Sequence, residues 1–172
     1  SVTLVSGPVN IEPFLGIDVV NVKSAADMAE AVAARSEASD IVVMCSAVAD
    51  YTPTHYSAQK VKKSDGELSI PLARTTDILH TLGMKKKEGQ MLVGFSMETE
   101  NLIENSRKKL SKKNADIICA NTIADGGATG FAVDTNQVTL ITETEVITLP
   151  LCTKEETADL ILSHIVELQK EK

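Results

Sequence analysis

The sequence predicts an α/β fold in which helices cover both faces of a doubly wound, mostly parallel sheet with an added β-hairpin. Short apolar runs alternate along the chain with helix-like segments, which is typical of a sheet built from β-α units. Several of these runs are apolar throughout, as strands buried on both faces are. With 172 residues, of which 43% are apolar and 24% charged, the chain is long enough for a single domain spanning residues 1–172 with its own core.

The first half of the chain contains three predicted strands and one helix. The run VTLVSG at residues 2–7 precedes a Gly-Pro turn, and DVVNV forms a second strand. Ser24 and Asp27 have the spacing of a capping box, so we expect a helix to begin there. The continuous apolar run in DIVVMCSAVADY predicts a buried parallel strand.

The middle of the chain continues the alternation. After the alternating segment ELSIPL, we expect a helix to open near Thr76 with Asp77 in its first turn. The runs MLVGF and ADIICAN predict buried strands on either side of a helix at residues 101–114.

A hairpin and a long helix are expected at the end of the chain. A Gly-rich loop at residues 122–135 leads into two short strands joined through Glu143 and Thr144. Thr153 and Glu156 again have capping-box spacing, so the last helix begins there. Its expected apolar face consists of Ala158, Ile161, Leu162, Ile165 and Leu168.

Charge and composition argue against several classes of function. Lys and Arg total 17 against 24 Asp and Glu, a net charge of −7, which disfavours nonspecific nucleic-acid binding. The apolar runs reach only strand length, and no basic region precedes a long apolar stretch, so neither a membrane span nor a secretory signal is expected. Cys45, Cys119 and Cys152 are far apart and indicate neither a zinc site nor a disulfide framework. The expected compartment is the cytoplasm.

Four places at the ends of predicted strands are expected to form the site, since ligands of such sheets bind beyond the carboxyl ends of the strands. They are residues 46–51, residues 95–99, Asn121 with the loop after it, and Gly7 with Pro8. In CSAVADY the small side chains let a ligand approach the backbone, and Asp50 is placed to contact a ribose, a base or a metal. The alternative is a tight turn with a surface aspartate. Lys60, Lys62 and Lys63 suit either a lid over phosphates or a solvated edge strand protected by lysines.

The helix at residues 101–114 separates its lysines into two pairs. Its inward face is expected to consist of Leu102, Ile103, Ser106 and Leu110. Lys109 and Lys113 then lie one turn apart at the border of that face, whereas Lys108 and Lys112 point away from it. The border pair suits contact with a phosphate or nucleotide, or else snorkelling near the negative end of the helix dipole.

Glycine and histidine patterns indicate no further site. The loop GGATGF at residues 126–131 precedes a strand rather than opening a helix, so it lacks the geometry of a dinucleotide-binding loop. His55, His80 and His164 show no spacing typical of metal ligands, and each is expected to be an ordinary polar residue.

Seven motifs occur here in the order found in bacterial phosphopantothenoylcysteine synthetases, and nearly the whole chain resembles that family. They are SAVADYTP, KVKK, TTDIL, GFSMET, KKLSKKNAD, CANT and GFAVDTN. The combination of AVADY with a K-x-K-K nine residues later is specific. The resemblance implies a three-layer, Rossmann-like nucleotide-binding fold.

The resemblance also implies a ligase of coenzyme A biosynthesis that uses CTP as a substrate, with Mg²⁺ at the triphosphate. Such an enzyme activates the carboxylate of 4′-phosphopantothenate as an acyl-cytidylate and releases pyrophosphate. The amine of L-cysteine then displaces CMP to form 4′-phosphopantothenoylcysteine. Members of the family are usually fused to an upstream flavin-dependent decarboxylase and pair as homodimers through an added hairpin. The ligands of the metal are not indicated.

Candidate site residues follow from the resemblance position by position. Lys60 resembles the lysine of a mobile flap that reaches the reacting phosphate, and it is the expected catalytic residue. Phe95 resembles the residue beside the cytosine, and Ala47 also abuts the phosphopantothenate. The residues expected to contact the nucleotide are Cys45, Ser46, Ala47, Asp50, Lys60, Thr76, Asp77, Ile78, Leu79, Phe95, Lys109 and Lys113.

The chain departs from the family's pattern at its beginning. It contains neither the strand with G-x-T-x-E nor the helix that opens with an N-H-S-S-G-type sequence. In the strand order 3-2-1-4-5 that strand is central, and each buried backbone group left unpaired by its loss costs about 1–3 kcal/mol. Residues before Ser1 are therefore expected.

The sequence leaves two alternatives to the synthetase. One is a CTP-binding module that does not complete catalysis because the first strand-helix unit is missing. The other is an NAD(P)-linked oxidoreductase, which is disfavoured because no G-x-G-x-x-G opens a helix.

Overall fold

The computed structural model describes residues 1–11, 15–62, 66, 69–122 and 133–170, and these fall into two compact units. The first unit consists of Ser1–Val32 and Ala47–Asp77, and the second of Ala33–Ser46 and Ile78–Lys172. The single domain over residues 1–172 stays a prediction.

The first unit contains a parallel strand pair and most of a helix. Strands β1 (Thr3–Ser6) and β2 (Asp18–Asn21) pair with Thr3 opposite Asp18. Helix α1 (Ala25–Ser36) begins with the predicted capping box: the Asp27 amide donates to Ser24 Oγ (3.1 Å), and the Ser24 amide donates to Asp27 Oδ2 (3.0 Å). Hydrogen bonding of the Asp27 carboxylate, with the Ser24 side chain foremost and then with the Ser24 and Lys23 amides, holds the pKa of Asp27 below its usual value. The predicted start of the helix is confirmed.

A small antiparallel ladder in the first unit was not predicted. Strand β4 (Tyr51–Pro53) pairs with β5 (Leu72–Arg74), and the Arg74 guanidinium lies 5.6 Å from the centre of the Tyr51 ring. All residues of both strands are exposed. Because these strands bury no apolar face, their sequences lack the pattern by which strands are recognised.

The second unit is built on a five-stranded sheet of order β10-β9-β7-β6-β3. Strands β3 (Ile41–Met44), β6 (Met91–Glu98) and β7 (Ile117–Thr122) are parallel neighbours. Strands β9 (Thr139–Ile141) and β10 (Val146–Thr148) add an antiparallel hairpin beside β7. The predicted α/β class, with a parallel core and an added hairpin, is confirmed.

Helices cover both faces of this sheet, as a doubly wound fold requires. Helix α4 (Lys154–Lys170) covers one face, where Ile161 and Ile165 join a buried cluster with Met91, Val93, Ile117, Cys119, Val138, Leu140 and Leu149. Helices α2 (Ile78–Lys85) and α3 (Leu102–Lys113) cover the other face. There a Cβ added to Gly94 would meet Leu79 of α2 at 2.5 Å, so the glycine lets the helix approach the strand.

Helices α2 and α3 pack closely at their C-terminal ends. A Cβ on Gly83 would overlap the carbonyl oxygen of Lys113, so only glycine permits this approach. Asn114, which follows α3 with φ 49°, donates from Nδ2 to the Gly83 carbonyl (2.8 Å). His80 Nδ1 lies 3.0 Å from the carbonyl oxygen of Lys112. The contacts fix the end of α3, and they give His80 the ordinary polar role expected of it.

Several predicted details of strands and helix ends are wrong. The run predicted as one buried strand ends at Met44, and within the described part of the chain β3 pairs only with β6, leaving Val43 40% exposed. Helix α2 begins at Ile78, so Thr76 and Asp77 precede it. Such boundaries are set by tertiary contacts that a local pattern does not contain.

The predicted apolar faces of two helices are each too wide. On α4, Ile161 and Ile165 are buried, but Ala158 and Leu162 are exposed. On α3, Ile103 is exposed although Leu110 is buried. An apolar residue at the border of a face becomes buried only where a neighbouring element covers it.

Near the C-terminal helix, a two-residue ladder was also missed. Strand β8 (Thr135–Asn136) pairs with β11 (Cys152–Thr153), directly before α4. The second capping box is present, since the Glu156 amide donates to Thr153 Oγ1 (3.2 Å) and the Thr153 amide donates to Glu156 Oε2 (2.9 Å). The Gly-rich loop motif at residues 126–131 lies outside the described residues.

Candidate functional site

A charged network lies at the carboxyl end of β6, where the chain enters α3. The Lys109 ammonium of α3 donates to Glu98 Oε1 (2.6 Å) and to Ser96 Oγ (2.7 Å). The Ser96 hydroxyl donates to the same Glu98 oxygen at 2.6 Å. Asn105, one turn before Lys109, donates from Nδ2 to Glu98 Oε2 at 3.2 Å. Four side chains thus form one connected hydrogen-bond network.

The strand positions two of these side chains and the helix the other two. Side chains alternate along β6, so Ser96 and Glu98 lie on the same face as Gly94, toward α2 and α3. Asn105 and Lys109 are four residues apart and therefore share one face of α3. Ser96 and Glu98 lie in the segment 95–99 where a site was expected, but neither was singled out as a site residue, and Asn105 was not predicted at all. The signal for Ser96 and Glu98 was their i, i+2 spacing in GFSMET.

Glu98 is ionised in this network. Partial burial raises the pKa of Glu98, but the hydrogen bonds from Lys109, Ser96 and Asn105 outweigh that effect and hold the pKa below its ordinary value. The Glu98 side chain is 12% exposed and that of Lys109 is 43% exposed. A lysine ammonium has three N–H donors, and Glu98 and Ser96 accept from two of those of Lys109. Within the described ranges, the third is left for an anion.

The helical-wheel prediction for α3 is confirmed in its geometry. Lys109 and Lys113 are half-buried, whereas Lys108 and Lys112 are exposed. Lys108 pairs with Glu104 on the solvent side of the helix at 2.7 Å. A nucleotide-binding role for Lys109 and Lys113 stays a prediction.

Phe95 reaches the same strand end from the other side of the sheet. It follows Gly94 and precedes Ser96, so it lies on the α4 face and is 37% exposed.

Cys45 and Ser46, which follow β3, are exposed. Cys119 of β7 is fully buried, and burial, with a smaller contribution from Cys45, raises its pKa to about 12. Cys119 is therefore a core thiol and not a nucleophile.

Ile78 and Leu79 contribute to the core of the second unit. Ile78 is buried, and Leu79 lies against Gly94. These contacts give the two residues a packing role; their predicted contact with a nucleotide stays a prediction.

In the first unit, the backbone holds two predicted site segments side by side. The Thr75 amide donates to the Asp50 carbonyl (2.9 Å), and Thr75 Oγ1 donates to the Ala49 carbonyl (2.6 Å). These bonds place Asp50 beside the segment that contains Thr76 and Asp77. Ala47 lies three residues before Asp50, and its side chain is exposed.

Lys60 lies in the long connection between β4 and β5. Lys60 and Lys62 are both exposed, and Lys63 lies outside the described residues. Ser57 Oγ donates to the Gln59 carbonyl at 2.7 Å just before this lysine cluster. The contribution of Lys60 to a flap stays a prediction. So does its convergence with Ala47, Asp50, Phe95, Lys109 and Lys113 on one nucleotide.

The described residues offer no preformed cage for a metal ion. No group of three or more His, Cys, Asp or Glu side chains lies together in the described ranges. Glu98 is engaged by three donors and so lacks the coordination capacity of a free carboxylate. Mg²⁺ is usually held by one or two carboxylates together with substrate phosphates and waters. A metal ion that arrives bound to a triphosphate takes several ligands from the phosphates and from water. It therefore does not require a complete set of protein ligands.

None of the helices in the described part of the chain has an apolar stretch sufficient to cross a membrane.

The sequence matches the family described as the DNA/pantothenate metabolism flavoprotein C-terminal domain over residues 1–168. It is 45% identical over 172 residues to the coenzyme A biosynthesis bifunctional protein CoaBC of Bacillus subtilis (strain 168), covering 99% of this chain and 42% of that protein. The chain therefore spans less than half the length of this curated relative.

Two solved structures resemble the fold. The crystal structure of the C-terminal domain of a coenzyme A biosynthesis bifunctional protein CoaBC superposes with a TM-score of 0.81 at 41% identity, covering 99% of this chain and 75% of that one. A Cab2 mutant in complex with phosphopantothenate-cysteine gives a TM-score of 0.66 at 15% identity, covering 90% of this chain and 53% of that one. The second likeness concerns the fold alone.

Proposed function

The chain belongs to the DNA/pantothenate metabolism flavoprotein C-terminal domain family, and we propose that it joins 4′-phosphopantothenate to L-cysteine with CTP in coenzyme A biosynthesis. The 45% identical relative is named for coenzyme A biosynthesis. A Cab2 mutant of the same fold binds phosphopantothenate-cysteine, the compound in which the two substrates are joined. The relative supports a role in coenzyme A biosynthesis, and the Cab2 structure supports the fold.

The proposed reaction has two steps because a carboxylate is a poor electrophile. In the first, an oxygen of the 4′-phosphopantothenate carboxylate attacks the α-phosphorus of CTP, and pyrophosphate leaves. In the second, the cysteine amine attacks the acyl carbon of the resulting acyl-cytidylate, the bond to CMP breaks, and the amine loses a proton. The products are 4′-phosphopantothenoylcysteine, CMP and pyrophosphate.

The half-buried Lys109 ammonium at the carboxyl end of β6 is the observation that carries the nucleotide part of the proposal. Parallel sheets bind ligands beyond this edge, and a fixed ammonium there stabilises charge on phosphate oxygens. We assign Lys113 a second phosphate contact one turn away and Lys60 the stabilisation of the reacting phosphate. Asp50 and Phe95 are assigned to the nucleoside.

Mg²⁺ is proposed to enter bound to the triphosphate. It would supply charge neutralisation there, and no residue of this chain is assigned as its ligand.

Assembly and location follow from the family as further proposals. We propose a homodimer that pairs through the added hairpin region, a fusion to a flavin-dependent decarboxylase, and the cytoplasm as the compartment. The fusion agrees with the relative's description as bifunctional and with its greater length.

The test measures pyrophosphate release from CTP and 4′-phosphopantothenate, with and without cysteine. Turnover that requires cysteine and prefers CTP to ATP supports the ligase. A single burst without turnover indicates only the first half-reaction. Binding of CTP without any pyrophosphate favours the nucleotide-binding module, and failure to bind CTP contradicts both.

A further inference from the structure

Glu98 is built into the end of β6 more firmly than an ordinary surface carboxylate. Three different side chains donate to its two oxygens, at 2.6 Å from Lys109, 2.6 Å from Ser96 and 3.2 Å from Asn105. Ser96 is itself buried and relays a second bond to the Lys109 ammonium. The network holds the nitrogen of Lys109 at two points.

The exposure of Lys109 distinguishes it from a lysine that only stabilises the fold. The carboxylate side of the pair is 12% exposed, while the lysine is 43% exposed. In the described part of the chain, Glu98 and Ser96 accept from two of the three N–H donors of Lys109. Glu98 and Ser96 therefore hold the Lys109 ammonium on one side. Its other side is exposed to solvent at the strand end, where ligands of parallel sheets bind.

We propose that Glu98 is a positioning residue that holds the Lys109 ammonium in place for a phosphate group of the nucleotide. This inference rests on the proposed function, because it requires a nucleotide at this strand end. Glu98 itself touches no substrate and acts through Lys109, with Ser96 as a second support.

Positioning is expected to outweigh the repulsion between Glu98 and a phosphate. A free lysine side chain loses rotamer entropy when it is fixed, and here that ordering precedes ligand binding. The charge of Glu98 is shared among three donors in the folded protein, which reduces its effect on a neighbouring anion. Removing the charge of Glu98 therefore weakens phosphate binding, through the loss of a fixed Lys109, more than it strengthens binding by removing repulsion.

The test is a double-mutant cycle on the affinity for CTP, measured by calorimetry. The proteins are the wild type, Glu98→Gln, Lys109→Met and the double variant. Each single change is expected to weaken CTP binding about tenfold, a coupling typical of residues in one hydrogen-bond network. In the Lys109→Met background, Glu98→Gln is expected to have no further effect.

Glu104→Gln is the matched control. Glu104 pairs with Lys108 at 2.7 Å on the same helix, and both side chains are exposed. Its removal is expected to leave the affinity for CTP unchanged. If Glu98→Gln does not fold, Ser96→Ala removes the second support of Lys109 and is expected to weaken binding about threefold, again only while Lys109 is present.

The outcomes separate this inference from the proposed function. Equal losses from Glu98→Gln with and without Lys109 show a general structural role, and tighter binding shows that Glu98 only repels the nucleotide; each overturns the inference and leaves the CTP site intact. No CTP binding by the wild type, or no loss in Lys109→Met, overturns the proposed nucleotide site and this inference with it.

Discussion

Two lysine–carboxylate pairs lie at opposite ends of the sheet in the second unit, and they differ in what surrounds them. At the amino end, Lys86 contacts Asp116 at 3.0 Å, and both side chains are 14% exposed. Asp116 also accepts the Leu92 amide at 2.7 Å. At the carboxyl end, Lys109 contacts Glu98, and there the lysine is much more exposed than the acid.

The difference separates a pair that stabilises the fold from a pair that we propose serves the nucleotide site. Asp116 bonds to the backbone of β6 as well as to Lys86, so it joins β6, β7 and the end of α2. Among the described residues, the donors to Glu98 are side chains, and its lysine remains accessible. The same chemistry stabilises packing where both groups are buried and presents a charge where one of them is exposed.

Replacing Asp116 by Ala is expected to have the largest effect on stability. The free energy of unfolding should fall by about 3 kcal/mol, because Lys86 and the Leu92 amide lose a buried acceptor. Urea denaturation measures this. Glu37→Ala removes an exposed pair with Lys87 (3.3 Å) and should change stability by less than about 0.5 kcal/mol. Equal effects of the two changes would contradict the distinction between buried and exposed pairs.

Replacing Lys60 by Gln extends the comparison to a lysine in an exposed connection. We expect turnover to fall about a hundredfold, because one charge at the reacting phosphate is lost, with no change in thermal stability. Lys62→Gln is the control and should leave turnover unchanged. Normal turnover in Lys60→Gln would show that the flap assignment is wrong.

Replacing Gly83 by Ala tests whether packing beneath α3 supports the exposed pair. The added Cβ overlaps the carbonyl of Lys113, so α2 and α3 must separate, at a cost of about 2 kcal/mol in stability. Chemical denaturation measures the loss of stability, and CTP titration measures whether the exposed Lys109–Glu98 pair depends on this packing. Gly7→Ala, which meets nothing within 4 Å, is the control. Unchanged stability in Gly83→Ala would contradict the close approach of the helices.

The four lysines of α3 provide a comparison within one helix. Lys113→Met is expected to weaken CTP binding about tenfold, equivalent to about 1.4 kcal/mol, because it lies at the half-buried border with Lys109. Lys112→Met and Lys108→Met should have little effect, since both residues are exposed. Similar losses in all variants would show that nonspecific charge attraction, rather than position, governs binding.

The smallest expected effect concerns pH. Burial raises the pKa of Glu98, but the bonds from Lys109, Ser96 and Asn105 outweigh it and hold the pKa below its ordinary value. The folded state therefore binds this proton more weakly than the unfolded state. The stabilisation is complete above the ordinary pKa of a glutamate and is lost as pH falls through the lower folded value.

Urea unfolding of the wild type and of Glu98→Gln measures this dependence. The free energy of unfolding of the wild type should exceed that of Glu98→Gln by about 0.5 kcal/mol at about pH 6, a small difference because Lys109 is partly solvated. This difference in stability should shrink below about pH 4. A difference that grows as the pH falls would contradict the ionised state of Glu98.

Local signals in the sequence predicted most elements correctly. Both capping boxes form as expected because each is a contact between residues three positions apart. The buried strands at 91–98 and 117–122 and the hairpin through Glu143 and Thr144 follow from apolar runs and turn residues. The motifs that carried the family resemblance agree with the match over residues 1–168.

Features that depend on distant neighbours were predicted less well. The apolar run at β3 indicated a buried strand, but Val43 is 40% exposed because only β6 pairs with β3 in the described ranges. Leu162 on α4 is exposed for a similar reason, since no described element covers that side of the helix enough to bury it. Ser96 and Glu98 were not recognised as partners of Lys109, because they lie on another element.

By itself the sequence determined the order of strands and helices, the caps of two helices and the division of the α3 lysines into border and exposed pairs. These follow from periodicity and from contacts within a few residues. Only the tertiary structure decided that Glu98 and Ser96 hold Lys109, that Gly83 admits the end of α3, and that Lys86 and Asp116 are buried together. Each of these depends on side chains brought from separate elements to within a few ångströms, a distance that local sequence patterns do not encode.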